Sequence, residues 1–242
     1  MSLEAKDLYV KVEDKEVLSW VNVRFELGKN YTILGKNGSG KSSFAYALMW
    51  HPKYEITKWD ILLDGESLLD LSPDERAKKW IFLAFQNIPE IPGVKLFEFL
   101  RTVYNSWKGT NETFLSFKKI IEPLLQELDI PKEFLWRDLN VGFSGWERRK
   151  IEILQLKLLN PKYIILDEVD SGLDVDAFKQ VANLLQSLDS DQNTFVIITH
   201  YFTILDYITV DRVYVFEDGK VAKEGAKELA DQIRNQGFKV LS

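Results

Sequence analysis

YTILGKNGSGKSSFAYALM (residues 31–49) decides the fold. A short apolar strand runs into a glycine-rich loop, and the loop opens a segment that reads as a helix over 42–50. Gly35 to Ser42 (GKNGSGKS) fits glycine, four free positions, glycine, lysine, then serine or threonine. The glycines let backbone N–H groups turn inward around an anion, and a helix start adds a favourable field. In such a loop Gly35, Asn37, Gly38, Ser39, Gly40, Lys41, Ser42 and Ser43 line the phosphates of a nucleotide. Lys41 reaches the β- and γ-phosphates, and the Ser42 hydroxyl holds Mg²⁺. A glycine-rich turn without a ligand is the plainer reading, and the strand–loop–helix context weighs against it.

On the N-terminal side, DLYVKV and VNVRFEL alternate apolar and polar residues as half-buried strands do, with Val21, Val23, Phe25 and Leu27 on one face. On the C-terminal side, ILLDGESL (61–68) reads as a hairpin about Asp64-Gly65. Ser72 caps a short helix with Pro73 at its first position. WIFLAFQ (80–86) reads as a buried strand ending in Gln86. From Asn87 to Asn140 the pattern turns helical, with proline breaks at Pro92, Pro123 and Pro131 and no clear strand. Beyond Val141 helices and strands alternate again, which points to an α/β, largely parallel sheet.

VGFSGWERRKIEILQ (141–155) and YIILDEVDSGLD (163–174) carry the remaining chemistry. Ser144-x-x-Glu147 is a capping box, and Ile151, Leu154 and Leu158 make a core stripe that Asn160-Pro161 ends. A capped helix start is also what an anion site is made of. Asp167 and Glu168 end a buried strand. Beside a phosphate loop they read as a Mg²⁺ carboxylate and a general base; alone they would be solvated acids. Gln86 and His200 end strands too, and take their weight from this context. Asp174 reads as a helix cap and His51 as structural.

The 242 residues are 45% hydrophobic, enough for a substantial core, and carry a net charge of −6, which disfavours general nucleic-acid binding. There is no cysteine, hence no disulfide and no thiolate ligand for a metal or an iron–sulfur cluster. The N-terminal residues lack a signal-peptide pattern, and no apolar run is long enough to span a membrane. The expected compartment is the cytoplasm, without direct membrane insertion.

Taken together, GKNGSGKS, Gln86, FSGWE, YIILDE, SGLD and His200 stand in the order and spacing of an ABC-type ATPase, across nearly the whole chain. Within that superfamily the chain resembles SufC, the ATPase family of the Suf iron–sulfur cluster assembly system. AFQNIPEIPGV (84–94), LNVGFSGWE (139–147), LDEVDSGLDVDA (166–177), THYFTILDYI (199–208) and YEIT (54–57) carry that resemblance. It implies a P-loop NTPase of ABC type: one domain over 1–242 with a mostly parallel core sheet, an antiparallel β subdomain, and a helical subdomain inserted at about 87–150. It also implies ATP and Mg²⁺, with Lys41, Gln86, Glu168 and His200 catalytic and Ser42, Gln86 and Asp167 at the metal. Two copies would close head to tail, Ser144 and Gly145 of one facing the nucleotide of the other, and closure would rearrange SufB/SufD-type scaffold proteins.

Two departures matter. The family pattern has a glycine where this chain has Trp146, which adds bulk at the expected dimer contact. The aromatic residue that stacks on adenine in many members falls at Val12, which implies loose base selectivity. Ser43 for threonine and Lys36 for proline are tolerable changes. The competing expectations are an ATP-binding subunit of a membrane transporter and a nucleotide-binding interaction module of low turnover.

Overall fold

The computed structural model describes residues 1–241. It divides into two compact units, the first comprising Met1–Ala84, Lys162–Asp170 and Asp189–Ser242, the second Phe85–Pro161 and Ser171–Leu188.

The first unit is built on two sheets. β1 (Ser2–Val12), β2 (Lys15–Glu26), β4 (Glu55–Leu63) and β5 (Glu66–Ser67) form an antiparallel sheet in the order β2-β1-β4-β5. The β4–β5 turn is the expected hairpin, with Asp64 at φ 52° and Gly65 at φ 85°, the left-handed pair that a two-residue turn requires. The second sheet runs β12-β11-β3-β10-β9-β6, from β3 (Tyr31–Gly35), β6 (Ile81–Ala84), β9 (Tyr163–Asp167), β10 (Thr194–Ile198), β11 (Arg212–Glu217) and β12 (Lys220–Gly225). All its pairings are parallel except β11 with the edge strand β12. β3, β9 and β10 are buried along their whole length, as strands covered on both faces must be.

Helix α1 (Lys41–Leu48) follows β3 directly. Phe44 on α1 packs against Phe25 of β2 and Phe216 of β11, with ring centroids 6.2 and 5.8 Å apart. Tyr31 stacks on Tyr214 at 6.2 Å, and both hydroxyls are satisfied by β2 amides, of Glu26 and Arg24. This aromatic belt fixes the helix that follows the phosphate loop. α2 (Pro73–Lys78) begins with the expected Ser72 capping box and proline. Its Arg76, fully buried, donates from Nη1 to the carbonyls of Ala47 and Leu48 and so closes the C-terminal end of α1. α7 (Lys227–Gln236) completes the unit.

The second unit holds α3 (Leu96–Lys108), α4 (Phe114–Glu127), α5 (Gly145–Leu159) and α6 (Val175–Gln186). Two expectations change here. The 87–140 stretch does contain strands: β7 (Ile91–Lys95) and β8 (Asp138–Leu139) form a short ribbon. β7 is exposed throughout and holds Pro92 and Gly93, so it shows no alternation. Asp138 holds it instead, accepting from the Gly93 amide at 2.9 Å and pairing with Lys95 at 2.7 Å. Pro123 does not break a helix, because α4 runs through it. Phe117, Ile121 and Leu125 bury one stripe of α4, and that burial outweighs a cost of about 3 kcal/mol for an interior proline.

Candidate nucleotide site

The first unit assembles the phosphate loop between β3 and α1. A Cβ at Gly35 would run into the carbonyl oxygen of Phe216 and the hydroxyl of Ser39. Gly40 sits at φ 102°, and a Cβ there would lie 2.7 Å from Leu18. Both positions therefore need glycine, for close approach and for backbone shape. Gly38 is open, with nothing near the place a Cβ would take. The loop holds itself by a Ser39 amide to Lys36 carbonyl bond of 3.1 Å and a Gly219 amide to Ser39 carbonyl bond of 3.1 Å. Lys41 folds into the loop, donating from Nζ to the carbonyls of Gly35 at 2.9 Å and Lys36 at 3.1 Å. Burial holds its ammonium below the usual lysine range, while the carboxylates of Glu168 and Asp167 act in the opposite direction. A buried, cationic, adjustable donor is what a polyphosphate requires. The Ser39 hydroxyl is buried with no hydrogen-bond partner, an orphan that a phosphate oxygen satisfies.

The carboxylates come from the end of β9. Asp167 is fully buried and accepts from the Ser42 hydroxyl at 3.0 Å. Among the described residues no three or more histidines or carboxylates are arranged to hold a metal unaided. One serine and one carboxylate nevertheless suit Mg²⁺, which keeps waters and takes the rest of its shell from substrate phosphates. Glu168 adopts φ 48° and its amide donates to the Ile198 carbonyl at 2.9 Å. A left-handed glutamate is uncommon, and such conformations concentrate at functional sites. The turn brings its carboxylate to 3.2 Å from His200 Nδ1, on the loop after β10.

Sequence reasoning missed the support of that pair. Thr199 Oγ1 donates to Asp170 Oδ2 at 2.7 Å and accepts from the Tyr201 amide at 2.8 Å. It thus ties the loop after β9 to the backbone on either side of His200. Asp170 is buried, which pushes its carboxyl above the usual range while the Thr199 hydroxyl pulls it down. A lone Asp and a lone Thr gave no signal; the parallel pairing of β9 with β10 is what juxtaposes them.

The second unit carries Gln86, Ser144 and Gly145. The Ser144 hydroxyl accepts from the Glu147 amide at 3.2 Å, and the Glu147 carboxylate accepts from the Ser144 amide at 2.7 Å. The expected capping box is complete, and Gly145 and Trp146 keep the open first-turn amides. The Trp146 indole has Lys150 Nζ 5.1 Å from its ring centre. Lys150 is itself anchored on the Asp129 carbonyl at 2.9 Å. The indole and the Lys150 side chain therefore share one side of α5. Gln86, Asn87 and Ile88 share a cleft with Gly145, Arg148 and Arg149. Asp174 caps α6, accepting from the Ala177 amide at 2.8 Å.

His51, read as structural, packs against Tyr46 and Tyr54 in the first unit. That unit brings Gly35 through Ser43 together with Asp167, Glu168 and His200, whereas Gln86, Ser144 and Gly145 belong to the second.

A family model described as ABC transporter matches residues 18–171. A probable ATP-dependent transporter, ycf16, of Cyanophora paradoxa is 42% identical over 240 residues, covering 98% of this chain and 93% of the relative. Vegetative protein 296 of Bacillus subtilis (strain 168) is 42% identical over 239 residues, covering 98% and 92%. Among solved structures, the ATP-binding subunit of an ABC transporter aligns with a TM-score of 0.78 at 24% identity, covering 98% of this chain and 94% of that one. The cassette MJ0796, a dimer in a post-hydrolysis state bound to ADP and Pi, also aligns at 0.78, with 21% identity and 93% and 98% coverage. At those identities the structural likeness concerns the fold, an α/β ABC cassette.

Proposed function

This chain belongs to the ABC transporter family of ATP-hydrolysing cassettes, and from that premise we propose that it is a Mg²⁺-dependent ATPase driving a SufB–SufD-type scaffold. The observation that carries the catalytic part is the strand-end constellation of the first unit: Ser42 bonded to Asp167, and Glu168 facing His200. Gly35, Asn37, Gly38, Ser39, Gly40 and Ser43 surround the phosphates, and Lys41 leaves its carbonyl partners for the β- and γ-oxygens. Ser42 and Asp167 would hold Mg²⁺, a role that the family resemblance also assigns to Gln86. Mg²⁺, when bound, neutralises charge that develops on the phosphates. Glu168 takes the proton of the attacking water, a role worth roughly 10²–10⁴ in rate. His200 holds the Glu168 carboxylate and contacts the γ-phosphate. Ser144 and Gly145 serve the nucleotide of a second copy, in a head-to-tail dimer of one-domain chains whose helical part is the 87–150 region.

The scaffold part rests on the stretches that resemble SufC. The most discriminating of them, EIPGV, lies on the exposed ribbon strand β7, where Ile91 and Val94 face solvent and are free to meet a partner. A chain without cysteine powers cluster assembly and leaves the cluster to others. Among the described residues no helix is long and apolar enough to cross a membrane; a transport role would pass through a separate membrane subunit, and a cytoplasmic location is part of the proposal. The second reading, a transporter's ATP-binding subunit, is favoured by the transporter names of several relatives. Co-purification from the native cell separates the two. A soluble, cysteine-bearing pair that raises ATP turnover supports the scaffold reading, and an integral membrane partner that does so overturns it.

A further inference from the structure

Arg149 and Glu152 lie one turn apart on α5 with side chains only 5% and 9% exposed, joined at 2.5 Å. Neither the capping box nor the core stripe accounts for them. Burying an ion pair is expensive, and an apolar pair of similar size would often be as stable. What this pair does that an apolar pair cannot is grip backbone. Arg149 Nη1 donates to the Phe85 carbonyl at 2.8 Å and Nη2 to the Gln86 carbonyl at 3.1 Å. Glu152 Oε1 accepts from the Phe85 amide at 3.2 Å. Three backbone groups on two consecutive residues are thus held by one helix. Asn140 Nδ2 donates to the Pro89 carbonyl at 2.9 Å and Arg148 pairs with Glu90, extending the same attachment along the loop.

We propose that Arg149 and Glu152 are positioning residues: their buried pair fixes the backbone at Phe85–Gln86, so that Gln86 and the helix start bearing Ser144 and Gly145 form one body within the second unit. The inference rests on the role given to Gln86 above. It deepens that reading by naming what aims the glutamine side chain. Arg149 serves three acceptors from two guanidinium nitrogens, the Phe85 and Gln86 carbonyls and the Glu152 carboxylate, and the single nitrogen of a lysine ammonium does not reproduce that planar fork.

The test is a double-mutant cycle on the full chain, measuring ATP turnover with Mg²⁺, beside amide exchange. Arg149→Lys is expected to lower kcat about tenfold with KM for ATP changed less than about twofold, the signature of misplacement without lost binding. In a Gln86→Ala background the same substitution should cost less than about twofold, because its target is gone. Glu152→Leu should speed exchange at the Phe85 amide at least about tenfold relative to the α5 amides of residues 154–158. Equal losses with and without Gln86, or an unmoved Phe85 amide, overturn the inference while leaving the role of Gln86 intact. Unchanged turnover in Gln86→Ala overturns that role, and the inference with it. If Arg149→Lys fails to fold, Glu152→Gln, which keeps an acceptor for the Phe85 amide, takes its place in the cycle.

Discussion

The starts of α1 and α5, both assigned to phosphate in the proposed function, are built in opposite ways. α1 begins at Gly40 with a left-handed backbone, no side-chain cap and no acidic residue in its first turn, and Lys41 is its first residue. Its donors are left open for a ligand. α5 begins with a closed capping box that engages the amides of Ser144 and Glu147, and its first turn carries the acid Glu147. It is stable alone and opposes an anion with its own charge. Under the proposed function, the difference separates a site that would bind a nucleotide by itself from one that would engage a phosphate only when another copy presents it. Damage at α1 should then remove binding, whereas changes at α5 should tune dimer closure.

Lys41→Ala should have the largest effect. It removes the buried cation that fills the loop, and with it charge-assisted bonds worth several kcal/mol in a dry site. ATP binding should weaken, and turnover should fall by roughly 10³ or more. Fluorescent-nucleotide titration and phosphate release read the two. Turnover near the native level in Lys41→Ala would sink the phosphate-loop assignment and the contrast with α5.

The two helix starts were not equally legible in the sequence. The α1 start is written in glycines whose spacing has few other uses, and Gly35 and Gly40 prove to be places where a Cβ cannot sit. The strand end at Asp167 and Glu168 was legible from the apolar run before it, whereas acids at a strand end are common and took their proposed roles only from the phosphate loop elsewhere in the chain. The hairpin at Asp64-Gly65 and the caps at Ser72, Ser144 and Asp174 followed from local chemistry that the structure repeats. The α5 interior was not legible. Its burial extends beyond the Ile151, Leu154 and Leu158 stripe to Arg149 and Glu152. Charged residues on a helix are ordinarily solvated, whereas these two pair with each other and with the backbone at Phe85 and Gln86, which is far from them in the sequence. The β7–β8 ribbon was invisible for a related reason, since Asp138 binds it from 43 residues or more away.

Glu168→Gln is the next largest expectation. It keeps the shape of the His200 contact and removes the base, so hydrolysis should drop by roughly 10²–10⁴ with ATP still bound. With the nucleotide retained, two copies should stay closed, detected as a dimer by size exclusion in Mg²⁺ and ATP. A monomer under those conditions breaks the claim that α5 serves the second copy. In this trapped background Trp146 can be judged directly. The Lys150 ammonium packs over the indole and is itself held by the Asp129 carbonyl, so the ring already has a partner within its own chain. Trp146→Gly should therefore change the dimer dissociation constant by less than about threefold, while helix stability falls by about 0.5–1 kcal/mol. Tightening by an order of magnitude would show that the indole obstructs closure and holds native turnover low.

The smallest effect tests the opposition of the two helix starts most directly. Glu147→Gln keeps an oxygen that can accept from the Ser144 amide, so the capping box survives, but it removes the one acid from the first turn of α5. The helix loses a dipole interaction worth about 0.3–1 kcal/mol at low salt, measurable as a lower midpoint in urea. In the proposed dimer the same charge would face the other copy's phosphate, and its removal should tighten the trapped dimer about two- to fivefold at low ionic strength. At high salt both changes should shrink together, because both are interactions of exposed charge. A stability loss with no tightening at any salt would mean that Glu147 does not face the incoming phosphate. The capping box would then be only a cap, and the two helix starts would differ in stability rather than in function.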